Sequence, residues 1–277
     1  MPRPFISFLT DFGPDSAAAI CRGVMLSIAP DAAINDISHS VRKYQIRDGA
    51  FLLWIALVSM PVGVHVAVVD PGVGTARRPI GLLTGRGDVL IGPDNGLLPP
   101  AAERLGGLRE ARVLENRAWM LPKPTSTFHG RDIFSPMAAH LAIGGAFEEV
   151  GPVVDPATLV RLDAIEAVVH DGWLESSVGY VDSFGNLRIV GDPGDLAQAV
   201  GQLEPGRRFD VEFEPARLGG GRHIEHVPWA RTFGDIALGQ PLLYEDSFGR
   251  LAFADNQGNV ASRIGVEPGA AVRIRPA

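Results

Sequence analysis

Short apolar runs alternate with amphipathic segments over the first half of the chain, and this alternation predicts a mostly parallel sheet flanked by helices. Apolar residues recur at every fourth position between Ile20 and Ile28, which predicts a helix with Asp15 as its N-cap. Two further helices are predicted over residues 48–59 and 132–143. The predicted strands lie at residues 5–9, 33–37, 66–70, 81–83 and 89–91.

The pattern changes after Gly151, where helical periodicity gives way to short β-like runs separated by glycine turns. Residues 152–162 have the composition of a linker. The later runs are typical of a small antiparallel barrel. We therefore predict an α/β fold with two domains: a Rossmann-like N-terminal α/β domain at residues 1–160, which carries the catalytic residues, and a smaller C-terminal antiparallel β-barrel domain at residues 170–277.

Composition narrows the class of protein. Of the 277 residues 46% are hydrophobic, which suffices for a core, and the net charge of -7 is unlike the basic footprint of a nucleic-acid-binding protein. The single cysteine, Cys21, cannot form an intrachain disulfide and fits a reducing compartment. The first residues enter a strand without a signal peptide, and the longest apolar run, at 51–62, is too short for a bilayer. We expect a soluble cytoplasmic protein that binds neither nucleic acid nor a membrane.

Three acids, Asp11, Asp70 and Asp94, each follow a β-like run. Because parallel strands end at the same edge of a sheet, and ligands bind outside that edge, we expect these acids near a ligand. Together with His129 and Asp132 they have the chemistry of a hard-metal site, although no dedicated ligand spacing is visible. No nucleophile elbow, Walker loop or zinc spacing occurs either.

Asp70 is followed by a Pro-Gly-Val-Gly turn at 71–74 and then by Arg77 and Arg78. An acid and a cation on either side of a glycine turn form either a surface ion pair or half of a site, and spacing alone does not choose between the two arginines. His129 precedes a predicted helix, whose positive N-terminal end favours the neutral imidazole.

Seven segments, taken together, resemble the S-adenosylmethionine hydroxide adenosyltransferase family, to which the fluorinases and chlorinases are related. The resemblance covers nearly the whole chain in the family's order. It implies a homotrimer, in which S-adenosylmethionine binds where the N-terminal domain of one subunit meets the C-terminal domain of the next. The segments lie at residues 9–13, 66–78, 93–98, 126–132, 182–186, 244–249 and 256–259.

The resemblance also implies a reaction and a site. Hydroxide derived from water attacks C5′ of the ribose and displaces methionine, which leaves adenosine; S-adenosylmethionine is the substrate, and no cofactor or metal is implied. The family's water-activating triad maps onto Asp70, Arg77 and His129. Asp11 matches the acid that holds the ribose hydroxyls. The other substrate-binding positions implied are Tyr44, Phe128, Asp182, Phe184, Asn186, Ser247, Asn256 and Val260, the last two on a predicted strand.

Elementary chemistry agrees with this mapping. A sulfonium is a good leaving group, so the slow partner is water, whose pKa in bulk is about 15.7. A fixed Arg77 cation would stabilise hydroxide, Asp70 would orient Arg77, and neutral His129 would accept a proton or align the water. For Tyr44 and Phe128, ordinary core packing stays an alternative to a ligand contact.

Two other functions stay open, a halogenase acting on the same substrate and a non-catalytic sensor of S-adenosylmethionine. The complete triad favours hydrolysis, as does Gly130, which stands where the halogenating relatives carry a halide-contacting serine. The connection between the arginines and residue 126 also lacks the extra loop typical of halogenases. Two positions depart from the family pattern, Phe248 after Ser247 and Arg188 after Leu187, both on the methionine side.

Overall fold

Two structural units make up the chain in a computed structural model, which describes residues 3–214 and 222–277. They are Met1–Leu162 and Asp163–Ala277, here called unit 1 and unit 2. The segment at 152–162 is not the linker that its composition predicts. Val154 is buried in the core of unit 1, and its backbone N–H donates to the Ala111 carbonyl over 2.8 Å.

Unit 1 is built on a six-stranded mixed sheet with strand order β2-β1-β3-β5-β4-β6. The first four strands in this order are parallel, as predicted, and β4 pairs antiparallel with both β5 and β6. The pattern did not predict β6. The strands are β1 (Phe5–Thr10), β2 (Ala33–Ser38), β3 (Val64–Val68), β4 (Pro79–Thr84), β5 (Val89–Pro93) and β6 (Leu108–Val113).

Helices cover both faces of this sheet. Alternate side chains of β1 point to opposite faces, so Phe8 packs with the core that α1 and α4 share, and Leu9 with that of α2 and α3. The helix at the start of the chain begins after Ser16, which makes no side-chain cap bond, so the prediction of Asp15 as N-cap is wrong. The helices are α1 (Ala17–Ile28), α2 (Ile46–Ala56), α3 (Pro99–Arg104) and α4 (Ser135–Ala142).

Unit 2 contains a closed seven-stranded barrel. Closure follows because β14 pairs with β10 on one side and with β8 on the other, while β7 extends the sheet beyond β8. The predicted barrel class is confirmed, with one parallel pair, β11 with β12, among antiparallel ones. The strands are β7 (Val168–His170), β8 (Trp173–Val181), β9 (Leu187–Ile189), β10 (Arg208–Glu214), β11 (His223–Ala230), β12 (Pro241–Glu245), β13 (Leu251–Asp255) and β14 (Ala271–Pro276).

Two short helices of unit 2 contradict the expectation that helices end with the first domain. They are α5 (Pro193–Val200) and α6 (Val260–Ile264). Asp192 and Asp195 form a capping box at the start of α5, and Asn259 accepts a hydrogen bond from the Ser262 N–H at the start of α6. The strand predicted around residues 256–260 is therefore a turn that leads into α6. Within residues 3–214 and 222–277, no helix has both the length and the apolar composition needed to cross a membrane.

A fully buried polar chain links β1, β3 and the turn before β5 in unit 1. The Ser7 hydroxyl lies 2.7 Å from Nδ1 of His65, and Nε2 of His65 lies 2.9 Å from Asp88. Arg86 donates to both carboxylate oxygens of Asp88. Burial alone would raise the pKa of Asp88, but the hydrogen bonds from His65 and Arg86 outweigh it and hold that pKa far below its usual range. Asp88 is thus a buried anion held by two partners.

Replacing Asp88 with asparagine should lower the free energy of unfolding by about 3 kcal/mol, because breaking a buried ion pair leaves its partners uncompensated. The contribution of Asp88 is present at neutral pH and declines as the pH falls below about 3.9, since its folded-state pKa is depressed. Urea unfolding measures both effects. The control is Asp36→Asn, which loses a half-exposed pair with Arg22 and should cost less than about 1 kcal/mol. Equal losses in the two variants would contradict the assignment.

Candidate active site

Asp70 and Arg77 form a buried ion pair at the carboxyl edge of the parallel strands. Asp70 lies two residues beyond β3, and Arg77 two residues before β4. Nε of Arg77 lies 3.0 Å from Oδ1 and 3.1 Å from Oδ2 of Asp70, and Nη2 also donates to Oδ2. Only 9% of the Arg77 side chain and 5% of the Asp70 side chain are exposed, which is inconsistent with a surface ion pair.

The turn between these two residues is shaped by Gly74. Its φ of +77° lies in the left-handed region that favours glycine, and a Cβ there would stand 2.4 Å from the Ser126 carbonyl oxygen. This close approach sets the turn that carries Arg77 against the loop that leads to His129. The absence of a side chain at Gly74 therefore allows two segments that are 52 residues apart in the chain to pack together.

Arg78 points away from this cluster, as neighbouring side chains of an extended segment do. Its Nε donates to Asp94 over 2.8 Å, and its Nη2 donates to the Thr158 carbonyl over 2.6 Å. The other oxygen of Asp94 accepts from the Val160 N–H at 2.9 Å. Asp94 therefore anchors the end of unit 1, and of the two arginines it is Arg77 that faces Asp70.

His129 completes the cluster. Its Nδ1 lies 3.0 Å from Nη2 of Arg77. A guanidinium can only donate, so Nδ1 is the acceptor and the neutral ring carries its proton on Nε2. Burial and the charge of Arg77 lower the pKa of His129, against weaker opposing effects of Asp70 and Asp132. The imidazole is consequently neutral at physiological pH, with an N–H on the side away from Arg77.

The guanidinium of Arg77 is held on a third side by an aromatic ring. Its carbon lies 5.2 Å from the centre of the Phe134 ring. Its Nη1 is buried and meets no hydrogen-bond acceptor within the part of the chain that the structure describes. Because an unsatisfied buried donor is costly, this atom is suited to a bound oxygen species such as water or hydroxide.

The loop that ends at His129 is fastened by Asp132, which is fully buried. One oxygen of Asp132 accepts from the backbone N–H and from the hydroxyl of Thr125, each at 2.7 Å, and Arg131 pairs with the carboxylate. His129 itself precedes a π-helical turn, Gly130–Phe134, that runs into α4. Such turns are frequent at functional sites because they change the direction of side chains over one turn.

Gly130 leaves little room for a side chain. A Cβ at this position would lie 3.0 Å from Cζ of Phe12 and 3.5 Å from the ring of Phe128. The two rings also pack edge to face, with centres 5.8 Å apart. Phe128 thus has a packing role beside His129, whatever else it contacts.

Replacing Gly130 with serine should destabilise the fold by about 1–3 kcal/mol and lower kcat, because Phe12 must move away from the new Cβ and displaces Phe128, which packs against it beside His129. The matched control is Gly23→Ser on α1, where a Cβ meets nothing within 4 Å. Thermal melting and turnover per folded molecule measure the two effects. If Gly130→Ser matched the control in both, the tight packing behind His129 would be refuted.

Asp11 and Tyr44 lie in unit 1 beside the same strand ends. The Asp11 N–H lies 3.4 Å from the Val68 carbonyl at the end of β3. One carboxylate oxygen of Asp11 accepts from the Tyr44 N–H at 2.9 Å. Tyr44 has a φ of 67°, which is rare for a non-glycine residue, and the residue is 67% exposed. Asp11 therefore holds Tyr44 in a strained conformation with its ring outward.

A cavity of about 840 Å³ in unit 2 brings together four residues of the sequence prediction, Asp182, Phe184, Asn186 and Asn256. Asp182 orders the turn after β8, because its Oδ1 accepts from the N–H groups of Phe184 and Asn186. Phe184, within this turn, is 76% exposed. The sequence prediction did not include Phe233 and Gln257, which also line this cavity; the only sequence signal there is the Gln-Gly turn after Asn256.

Two predicted residues of unit 2 lie elsewhere. Ser247 lines a smaller, separate pocket. Val260 is fully buried in the barrel core at the start of α6, so the structure shows it as a packing residue and not as an exposed contact. The Asn256 amide is also engaged, since its Nδ2 donates to the carbonyls of Phe233 and Ile236.

Three of the four carboxylates considered for a metal are neutralised by arginines, and the fourth, Asp11, accepts a hydrogen bond from the Tyr44 N–H. Asp70 pairs with Arg77, Asp94 with Arg78, and Asp132 with Arg131. Among residues 3–214 and 222–277, no group of three or more His, Cys, Asp or Glu side chains is placed to hold a metal ion. The hard-metal interpretation of these acids is therefore not supported by their geometry.

Fold and site together define a class of protein: a two-domain enzyme with a buried Asp–Arg–His cluster on an α/β unit and a second, barrel unit with its own cavity. The model of the SAM hydroxide adenosyltransferase N-terminal domain matches residues 6–151, and that of the C-terminal domain matches residues 176–273. The chain belongs to the S-adenosylmethionine (SAM) hydroxide adenosyltransferase family.

Three comparisons illustrate the relationship. The chain is 43% identical to the (R)-S-adenosyl-L-methionine hydrolase of Salinispora tropica, over 99% of this chain and 98% of that protein. It is 29% identical to the fluorinase of an Actinoplanes species, over 99% and 98%. The crystal structure of an uncharacterised conserved protein from Thermotoga maritima matches with a TM-score of 0.88 and 34% identity, over 98% of this chain and 99% of that one.

Proposed function

We propose that this enzyme hydrolyses S-adenosyl-L-methionine at C5′ of the ribose to give adenosine and L-methionine. The observation that carries the proposal is the buried cluster of Asp70, Arg77 and His129, in which one guanidinium nitrogen lacks an acceptor among the described residues. The full-length relative from Salinispora tropica bears the name of this hydrolase, whereas the fluorinase is more distant.

The chemistry requires help at the nucleophile and little at the leaving group. The C5′–sulfur bond breaks with its electron pair moving to sulfur, and methionine leaves as a neutral thioether that needs no proton. One water oxygen forms the new bond to C5′ and keeps one hydrogen as the 5′-hydroxyl of adenosine, and its other proton passes to the Asp70 carboxylate and from there to solvent. The enzyme must therefore stabilise hydroxide character, which costs most in bulk water because the pKa of water is about 15.7.

Each member of the cluster has a defined part in this step. Arg77 donates from Nη1 to the attacking oxygen and stabilises its developing negative charge. Asp70 holds Arg77 in place through two nitrogens and, with the acceptor sites that a carboxylate retains, accepts a hydrogen bond from the water. His129 donates from Nε2–H and aligns the same water. With Nδ1 bonded to Arg77, alignment is favoured over proton acceptance.

The rate should follow the neutral form of His129. Burial and Arg77 lower the pKa of this ring below its ordinary value of about 6.5, so kcat should stay constant as the pH falls through 6.5 and decline only at lower pH. A pH profile of kcat at saturating substrate measures this. An acid limb centred above pH 6.5 in the wild type, or one unchanged in His129→Gln, would exclude His129 as its source.

Substrate binding is proposed for the residues that flank this cluster and line the barrel cavity. The Asp11 carboxylate suits the two ribose hydroxyls, since a carboxylate accepts charge-assisted hydrogen bonds from such donors. The exposed aromatic rings of Tyr44 and Phe184 suit the adenosyl group. The remaining contacts are proposed for Phe128, Asp182, Asn186, Ser247 and Asn256.

We also propose a homotrimer with its sites completed between subunits, acting in the cytoplasm without a cofactor. The trimer is supported by the assembly that the family resemblance implies and by the exposure of the proposed ligand-binding rings of Tyr44 and Phe184. The cytoplasm is supported by the lone buried thiol of Cys21. Burial raises the pKa of that thiol to about 11, which makes it an unreactive packing group. Sedimentation of the purified chain tests the trimer.

Turnover tests the hydrolase assignment directly. The wild type is incubated with S-adenosyl-L-methionine in halide-free buffer, and the released adenosine and methionine are quantified. We expect equal amounts of the two products from the wild type and far less of both from Asp70→Ala, which serves as the control. Release no greater than the control at high protein concentration would leave a non-catalytic sensor. Adding chloride or fluoride and finding a 5′-halo-5′-deoxyadenosine as the main product would identify a halogenase instead.

A further inference from the structure

A small polar pocket on unit 2 has no role in the proposed attack of water. Its volume is about 280 Å³. Its charged lining consists of two arginines, Arg188 and Arg231, and two acids, Glu245 and Asp246. Three hydroxyl groups, those of Thr232, Tyr244 and Ser247, complete the polar lining. Guanidinium and hydroxyl groups donate hydrogen bonds to the oxygen atoms of an anion.

Arg188 is the fixed cation of this pocket. It lies on β9, pairs through Nη1 with Asp246, and is 17% exposed, whereas the Asp246 side chain is 5% exposed. Its guanidinium carbon lies 4.9 Å from the centre of the Phe248 ring. Asp246 in turn accepts from the N–H groups of Phe248 and Arg250 at 2.8 and 3.0 Å. Stacking engages the face of a guanidinium, whereas carboxylates bind its edges.

Asp182 lies on the same face of the β8–β9 hairpin as Arg188. Arg188 pairs with Tyr180 across β8 and β9, and the Asp182 N–H donates to the Asn186 carbonyl one step further on. Side chains alternate along a strand, and Leu187 between these positions is fully buried, so Arg188 and Asp182 both lie on the outer face. Diagonal neighbours of this kind are about 7–8 Å apart.

The surroundings of Tyr244 also indicate that Arg188 and Asp182 lie close together. Burial raises the pKa of its hydroxyl to about 12, and the charges of Arg188, Asp182 and Asp246 all act on it as well. The acid of the large cavity and the cation of the small pocket therefore lie around one tyrosine. Phe233 lines both spaces, which makes the two spaces neighbours on unit 2.

We propose that Arg188 binds the α-carboxylate of the substrate's methionyl group, opposite Asp182, so that the enzyme selects for an amino-acid zwitterion. This inference rests on the proposed function, since it takes S-adenosyl-L-methionine as the ligand. An ammonium and a carboxylate on one carbon fit between an acid and a guanidinium on one face of a hairpin. It also relates the two departures from the family pattern, because Arg188 and Phe248 are in contact.

The test compares S-adenosyl-L-methionine with its decarboxylated analogue, which keeps the sulfonium and the amine and lacks only the carboxylate. In Arg188→Gln, kcat/KM for S-adenosyl-L-methionine should fall about 10- to 100-fold, mainly through KM, while the value for the analogue changes less than about twofold. The matched control is Arg231→Gln, which removes the exposed arginine of the same pocket and should leave the preference between the two substrates unchanged.

In Arg188→Gln, the buried Asp246 carboxylate loses its cationic partner, which can destabilise the fold. The double variant Arg188→Gln/Asp246→Asn removes both charges and so avoids an uncompensated buried charge. Calorimetric binding of both compounds to the variants reports on Arg188 independently of turnover. If the wild type released no adenosine, the hydrolase proposal would fail, but the binding data would still test Arg188. An equal loss for both compounds would overturn the inference and leave Arg188 a structural residue. A selective loss in Arg231→Gln would overturn it in favour of Arg231.

Discussion

Arg77→Gln should lower kcat by about 100- to 1,000-fold while changing the dissociation constant for S-adenosyl-L-methionine by less than about threefold. Arg77 is the one group that touches both other members of the cluster, and its Nη1 is the buried donor that faces no acceptor in the described chain. The guanidinium therefore acts on charge that develops only as water attacks, so the loss falls on kcat.

The control for this variant is its neighbour. Arg78→Gln removes an arginine of the same turn that pairs with Asp94 and Thr158, so stability should fall while kcat per folded molecule stays near that of the wild type. Single-turnover rates and calorimetric binding separate the two parameters, and circular dichroism establishes the folded fraction. Similar kcat losses in the two variants would show that the turn, and not the Arg77 guanidinium, is what catalysis needs.

Asp70→Ala should lower kcat about as strongly as the loss of Arg77, and far more than it weakens binding. The carboxylate accepts from two nitrogens of Arg77. Without it, the guanidinium loses its orientation and the water loses an acceptor. Residues that act as a unit are not additive, so the double variant Asp70→Ala/Arg77→Gln should be little slower than either single variant.

Asp94→Asn is the matched control for Asp70, because Asp94 also follows a strand at this edge and pairs with Arg78, the neighbour of Arg77. We expect lower stability and an unchanged kcat per folded molecule. An equal loss of kcat and of affinity in Asp70→Ala would identify Asp70 as a binding residue. A strictly additive double variant would mean that Asp70 and Arg77 do not form a single functional unit.

The edge of the sheet was predictable from the sequence because strand ends are local features. Apolar runs that stop at Asp11 and Asp70 are visible without any tertiary information, and parallel pairing then places them at one edge. The choice between Arg77 and Arg78 was not predictable from spacing. It depends on the direction in which the chain re-enters β4, and that direction is set by the contact between Gly74 and Ser126.

The features that the pattern missed have tertiary or short-range causes. The helices α5 and α6 are too short for a periodic signal and are held by caps on Asp192 and Asn259. The parallel pairing of β11 with β12 and the closure of β14 onto β8 are non-local and leave no trace in alternation. Val260 illustrates the consequence for the site, because an expected contact residue became a core residue once its segment was a helix.

The buried polar groups divide into two kinds that sequence alone cannot separate. The chain of Ser7, His65 and Asp88 has the residue types of a catalytic triad, yet it is fully buried within the sheet and satisfied by its own members and Arg86. The cluster at Asp70 has a donor left over. What distinguishes a site from a structural network here is the unsatisfied donor, not the identity of the residues.

The most direct test of the hydrolase account is a single turnover of S-adenosyl-L-methionine in water labelled with a heavy oxygen isotope. If a water bound at Arg77 attacks C5′, the label enters the 5′-hydroxyl of adenosine and is absent from methionine. The same experiment with Asp70→Ala should show the same labelling at a much lower rate. Adenosine without label, or label that enters only after a 5′-halo intermediate, would contradict direct attack by water.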